Sequence, residues 1–136
     1  MSHVVPDLIQ KISKGQNPLH ILGSGGQIRH YTYGGDLAEG IRLCVENENA
    51  INQDFNISTD VSTTVIELAE LIWKKVNEDL PFQYVSDSPF QYDVQKRVPS
   101  IEKAERFLGF KALTTLSDAL DEIIPWVKQQ IDLGGI

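Results

Sequence analysis

The sequence predicts an α/β fold, and three observations predict it. Short runs rich in β-branched and aromatic residues alternate with segments whose apolar residues recur at helical spacing. Glycines at 15, 23, 25, 26 and 109 fall between those runs rather than inside them. Helix-start signals, a proline at position 6 and Asp/Thr/Ser at 36, 64 and 100, stand just ahead of the apolar stripes. With 136 residues, 41% of them hydrophobic, the chain can enclose one compact core. No internal repeat, low-complexity tract or linker divides it, so residues 1–136 are expected to form a single domain.

The elements follow in order. Pro6 suits the first turn of a helix, where its missing N–H costs nothing, and Leu8, Ile9 and Ile12 share a face before Gly15. His20-Ile-Leu22 and Arg29-His-Tyr-Thr-Tyr33 flank the glycine turn and are expected to be a pair of strands, with Arg29 at a rim. Asp36 and Glu39 have capping-box spacing, and Leu37, Ile41, Cys44 and Val45 form an apolar stripe that ends at Asn47 to Asn52. Phe55-Asn-Ile-Ser58 is a strand candidate. Thr64 and Glu67 are a second capping box, ahead of Val65, Leu68, Ala69, Ile72 and Val76. Phe82-Gln-Tyr-Val85 is a strand candidate, and Ser86 to Pro99 reads as a loop. Ser100 is expected to cap a helix through Ile101, Ala104 and Leu108 that stops at Gly109, and Leu116 to Ile131 a last helix bent at Pro125.

Charge and composition narrow the function. Twelve Lys+Arg against 19 Asp+Glu leave a formal charge of -7, which repels phosphate backbones and sets the chain against nucleic acid as a partner. No apolar run approaches the roughly 20 residues of a membrane span. The single cysteine, Cys44, has no internal partner, and the first residues lack a secretory pattern, so a cytoplasmic location is expected. On the helical stripe, Cys44 reads as a small hydrophobe rather than a nucleophile; Trp73 and Trp126 fall in helices and are expected to pack.

Arg29 carries the functional reading. A guanidinium grips two phosphate oxygens at once, and the turn from Gly23 to Gly26 offers backbone N–H groups beside it, so a diphosphate would fit. The alternative is that Arg29 pairs with Asp36 or another surface acid. Asp93 and Arg97 also belong together: a carboxylate accepts both hydroxyls of a ribose while a nearby cation neutralises phosphate, the alternative being a surface salt bridge. Gly23 to Ile28 lacks the third glycine of the dinucleotide fingerprint, so no nicotinamide site is expected there. Tyr92-Asp-Val-Gln-Lys96 spells the Tyr-x-x-x-Lys of short-chain dehydrogenases. That chemistry needs a helix beside a nicotinamide, whereas this copy lies in a proline-flanked loop, and the match is read as accidental. His3, His20 and His30 are too scattered for a metal site, and none is assigned.

Taken together, several short matches are specific: Pro6-Asp7, Gly23-x-Gly-x-Gln-x-Arg29, Asp36-Leu-Ala, Phe55-Asn-Ile-Ser58, Glu67-Leu-Ala, Arg97-Val-Pro-Ser100-Ile-Glu-Lys103-Ala and Leu108-Gly-Phe110. In this order they resemble the C-terminal, substrate-binding part of extended short-chain dehydrogenase/reductases, the NAD-dependent nucleotide-sugar epimerases and dehydratases. The resemblance implies a small substrate lobe whose Rossmann half is absent. It implies that Arg29 contacts the diphosphate, that Tyr31 lies close by, and that Asp93 binds the nucleotide ribose. Some galactose epimerases carry a further phosphate-binding arginine where this chain has Phe90, leaving Lys96 or Arg97 to substitute.

The family's catalytic Tyr, Lys and Ser/Thr and its glycine fingerprint belong to the segment preceding this one. No catalytic residue and no cofactor site is therefore assigned to this chain, and NAD(P) would sit elsewhere in the parent enzyme. The chain alone is expected to bind a nucleoside diphosphate sugar without turning it over. The alternative is an assembly module that forms a homo-oligomer or docks on a separate Rossmann domain.

Overall fold

The computed structural model describes residues 3–89 and 91–135. Five helices carry the fold: α1 Val4–Ser13, α2 Gly34–Glu46, α3 Val65–Val76, α4 Glu102–Leu108 and α5 Leu116–Asp132. Four short strands lie between them: β1 Leu19–Leu22, β2 Ile28–Arg29, β3 Thr63–Thr64 and β4 Tyr84–Asp87. None of these helices is long and apolar enough to cross a membrane.

The α/β expectation holds, but the strands pair differently from the sequence reading. β1 runs parallel to β4, with Leu19 opposite Tyr84 and Leu22 opposite Asp87; β2 is antiparallel to β3, with Ile28 opposite Thr64. The two strands flanking the glycine turn therefore do not pair with each other. Gly23 and Gly25 have φ of 69° and 73°, and their peptide groups serve other neighbours. The Gly23 N–H extends the β1–β4 ladder to the Asp87 carbonyl, and the Gly25 carbonyl accepts from the Ile66 N–H at the start of α3. A Cβ on Gly25 would lie 2.4 Å from Ile66 Cγ1, so the backbone packs there because no side chain intervenes.

The main core is built by α1, β1, α3 and α5. Leu8, Ile9 and Ile12 meet Leu68, Ile72 and Trp73, while Leu120, Ile124 and Val127 close the third side. Each of these side chains contributes about 1.5–3 kcal/mol on leaving water. α3 is held at its start by the predicted capping box: the Glu67 N–H donates to Thr64 Oγ1, and Glu67 accepts from the Thr64 N–H at 2.7 Å. α5 continues through Pro125 and is capped by Thr115, whose hydroxyl accepts from the Asp118 N–H.

A second cluster, Ala104, Leu108 and Phe110 with Leu43, Phe55 and Ile57 against it, joins α4 to α2. Gly109 ends α4 at φ 64°, as the sequence predicts. Several local expectations yield here. Phe55–Ser58 forms no ladder among the described residues: Phe55 and Ile57 face the second cluster, and Asn56 donates to the Ser100 carbonyl at 3.0 Å. Asp36 does not cap α2, which begins after Tyr33; its carboxylate instead accepts from the Thr114 N–H at 3.0 Å, while Glu39 pairs with Arg42. The N-cap of α4 is Ile101 rather than Ser100, with no side-chain cap. On α2 only Gly40 is buried; Cys44 is half-buried against the second cluster, and Leu37, Ile41 and Val45 are exposed. Trp73 is buried as expected, but Trp126 is 59% exposed.

Candidate functional site

The site is organised by β2. Ile28 pairs with Thr64 on one edge; on the other its N–H donates to the Gln95 carbonyl and its carbonyl accepts from the Arg97 N–H. This bridge draws the loop before α4 alongside the arginine strand, so residues far apart in sequence meet. Arg29, His30, Tyr31, Asn56, Ser58, Arg97, Val98 and Pro99, with Val4 of α1, line a cleft of about 520 Å³.

Arg29 and Asp93 form the polar support of that cleft. Arg29 Nη2 donates to Asp93 Oδ1 at 3.4 Å and Nη1 to the Ile28 carbonyl at 2.8 Å. The Arg29 side chain is 24% exposed. Two of its five N–H donors are thus engaged among the described residues. Asp93's other oxygen accepts from Gln27 Nε2 at 2.7 Å; the same amide donates to the Leu22 carbonyl. Gln27 is buried, and its Oε1 has no partner among the described residues. Gln27, just ahead of β2, and Arg29 on it both reach the Asp93 carboxylate.

Tyr31 stands beside this pair with its hydroxyl buried and without a partner among the described residues. Burial pushes its phenol above the ordinary tyrosine range, against the opposing pull of the Arg29 cation. It is therefore held neutral, with an O–H to donate. A buried hydroxyl left without a partner carries a desolvation cost of about 1–3 kcal/mol.

The structure brings Arg29, Tyr31 and Arg97 to one cleft and ties Asp93 to Arg29. Lys96 is exposed and is not among the residues that line the cleft, since neighbouring side chains of an extended strand point to opposite faces. Arg29 pairs with Asp93 rather than Asp36. Phe90, where a further arginine was considered, lies outside the described residues. The Tyr92 to Lys96 run is not helical. Among the described residues, no group of three or more His, Cys, Asp or Glu side chains is placed to hold a metal. His20 contacts the Asp87 carboxylate across β1 and β4 at 2.9 Å.

The backbone N–H groups of the glycine turn are partly spent within the protein: Gly23 donates to Asp87 and Gly26 to Ser24 Oγ. Sequence reasoning did not place His30, Asn56 or Ser58 in the cleft lining and gave no supporting role to Gln27. Gln27 could have been found from its place two residues before Arg29, just ahead of β2. The other three carry no signal before the fold is known.

The family model for GDP-mannose 4,6 dehydratase matches residues 1–123. UDP-glucuronic acid decarboxylase 1 of Danio rerio is 30% identical over 129 residues, which make up 95% of this chain and 30% of that protein. Among solved structures, the UDP-glucose 4-epimerase of Thermotoga maritima, crystallised with UDP-glucose, superposes with a TM-score of 0.82 and 26% identity over 96% of this chain and 40% of that one. The Bordetella bronchiseptica enzyme WbmF, in complex with NADH, superposes with a TM-score of 0.76 and 28% identity, covering 96% and 38%. The chain thus spans between 30% and 40% of the length of these proteins. The order of motifs, the α/β architecture and the match over residues 1–123 agree, and the chain belongs to the GDP-mannose 4,6 dehydratase family.

Proposed function

We propose that this chain is the lobe that holds the nucleotide end of a nucleoside diphosphate sugar, in an NAD(P)-dependent epimerase, decarboxylase or dehydratase whose hydride chemistry is carried by residues outside it. One observation carries the reading: in a chain of net charge -7, two arginines, Arg29 and Arg97, line the same cleft beside a buried tyrosine hydroxyl. Local positive charge against a negative background is what selects and orients a small anion. Arg29 would take the diphosphate with its free N–H groups, Arg97 would neutralise its second charge, and Tyr31 would donate to an oxygen nearby. Asp93 would accept from ribose hydroxyls while holding Arg29 in place. In this role the chain binds and orients; it supplies no acid, base or hydride, and without the cofactor-bearing part it should not turn substrate over. The likeness to an epimerase solved with UDP-glucose supports the ligand class.

The test is calorimetric titration of the purified chain with UDP-glucose and GDP-mannose, with Arg29→Ala as control. Charge-assisted hydrogen bonds contribute about 1.5–3 kcal/mol, so the variant should bind roughly 10- to 150-fold more weakly. Absence of saturable binding, or equal binding by the variant, would overturn the reading.

A second reading rests on a separate observation. Leu37, Ile41 and Val45 stand four residues apart on the exposed side of α2 and present an apolar row to solvent. As an assembly module, the chain would self-associate or dock on a separate Rossmann domain through such a face. Sedimentation over a hundredfold concentration range, with Ile41→Lys as control, separates a self-associating chain from a monomer.

A further inference from the structure

We propose that His30 makes anion binding in the cleft proton-linked: the imidazole takes up a proton when a diphosphate occupies the site. The inference rests on the nucleotide-binding reading above and goes beyond it, since that reading assigns no role to His30.

The geometry around the ring leads there. His30 lines the cleft together with Arg29, Tyr31 and Arg97. One ring nitrogen, Nδ1, lies 2.7 Å from the Thr59 carbonyl oxygen. A carbonyl only accepts, so Nδ1 carries a hydrogen in either charge state. The other nitrogen, Nε2, lies 2.9 Å from Ser62 Oγ, a hydroxyl that donates or accepts equally well. In the neutral ring Nε2 accepts from the Ser62 hydroxyl. After protonation it donates to the same oxygen, and the only rearrangement is rotation of one hydroxyl hydrogen. Both hydrogen bonds survive, so charging the ring leaves the loop from Thr59 to Ser62 attached to the strand that carries Arg29.

The surrounding charges decide when the proton is taken up. Arg29 precedes His30 on the chain, and Arg97 lines the same cleft. Among the acids, Asp93 is bonded to Arg29 and Gln27, Glu67 to the Thr64 cap and Asp7 of α1 to Lys11, whereas Asp60 directly follows the Thr59 that holds the ring. Tyr31 stays neutral, and Lys96 is not among the residues that line the cleft. A diphosphate brings two negative charges into the cleft that His30 lines. Binding therefore favours the protonated ring, and by linkage affinity rises as pH falls across the range in which an imidazole titrates.

The experiment titrates the full chain with UDP-glucose, whose diphosphate diester does not itself change charge between about pH 5.5 and 8. It is run at several pH values in two buffers of different ionisation enthalpy, with the imidazole resonances of His3, His20 and His30 followed by NMR. The expected result is binding about threefold to tenfold tighter at the acid end, net proton uptake, and a His30 titration that moves to higher pH with ligand. His30→Asn keeps a donor for Thr59 but cannot titrate; it should bind with a flat pH profile. Binding with no proton uptake, or a His30→Asn profile as steep as the wild type, would overturn the proposal while leaving the nucleotide reading intact. No binding at any pH would overturn both. If His30→Asn does not fold, the wild-type proton uptake and the His30 resonance still decide.

Discussion

Replacing Gly25 by alanine probes whether the glycine turn is shaped by the fold or by a ligand. At φ 73° an alanine sits in the left-handed region, at a cost of about 1–2 kcal/mol. Its Cβ would lie 2.4 Å from Ile66 Cγ1, 3.0 Å from Cδ1 and 3.5 Å from Ile21 Cγ2. Forcing a methyl into so tight a contact costs about 1–3 kcal/mol more, because Ile66 leads α3 and cannot retreat without disturbing the N–H it donates to the Gly25 carbonyl. The alanine also restricts the unfolded chain, which offsets about 0.4–1 kcal/mol. The net expectation is a destabilisation of about 1–5 kcal/mol, read as a lower midpoint in urea with an unchanged slope. The cycle with Ile66→Ala isolates the clash: in that background the loss should shrink by about 1–3 kcal/mol, leaving the left-handed strain. Gly25→Ala as stable as wild type, or equally destabilised with and without Ile66, would refute the argument. A variant of normal stability that had lost nucleotide affinity would instead make the turn a ligand cradle.

Other substitutions test neighbouring claims. Tyr31→Phe removes a buried hydroxyl with no partner and should leave stability unchanged or raise it by about 1 kcal/mol, while weakening UDP-glucose binding; a clear loss of stability would mean the hydroxyl has a partner after all. Trp73→Phe removes the indole N–H that donates to the Leu80 carbonyl at 2.9 Å and leaves a gap in the main core, for a loss of about 1–3 kcal/mol by urea unfolding. Glu67 is held below the ordinary carboxylate range by the N–H and hydroxyl of Thr64. A depressed carboxyl stabilises the fold fully above its unfolded value and loses that contribution as pH falls through its folded one. The stability difference between wild type and Glu67→Gln should accordingly shrink below about pH 4, and a difference constant from neutral to acid pH would contradict it.

Elements whose causes are local were legible before the fold. α1 follows Pro6 and its three buried aliphatic residues; α3 follows the Thr64–Glu67 box; α4 stops at Gly109 because a left-handed residue is cheap there. The same local rules failed at Asp36 and Ser100. The Asp36 carboxylate is drawn to the Thr114 N–H, 78 residues away, and the Ser100 carbonyl is used by Asn56, 44 residues back. Of the two strands expected around the glycine turn, the first is found as β1, whereas of residues 29–33 only Arg29 belongs to a strand, β2; their partners were not legible, because β1 finds β4 across more than 60 residues and a parallel ladder leaves no signature at the turn. The candidate site divides in the same way. Arg29 and Tyr31 stand out in the sequence, whereas the cleft's other wall, Asn56, Ser58 and His30 held to Thr59 and Ser62, becomes visible only when distant segments are packed together.

The sequence by itself determined the α/β class, the helices with their apolar faces, the family, and the arginine on which a nucleotide reading turns. These depend on residue spacing and on motifs a few residues long, which are properties of a chain before it folds. Tertiary structure alone decided which strands pair, which apolar stripe is buried and which stays exposed on α2, and which acid holds Arg29. Those outcomes follow from long-range competition for hydrogen-bond partners and for burial. Gln27 and Asp93, 66 residues apart, meet beneath Arg29 because β2 is bridged to the loop that precedes α4.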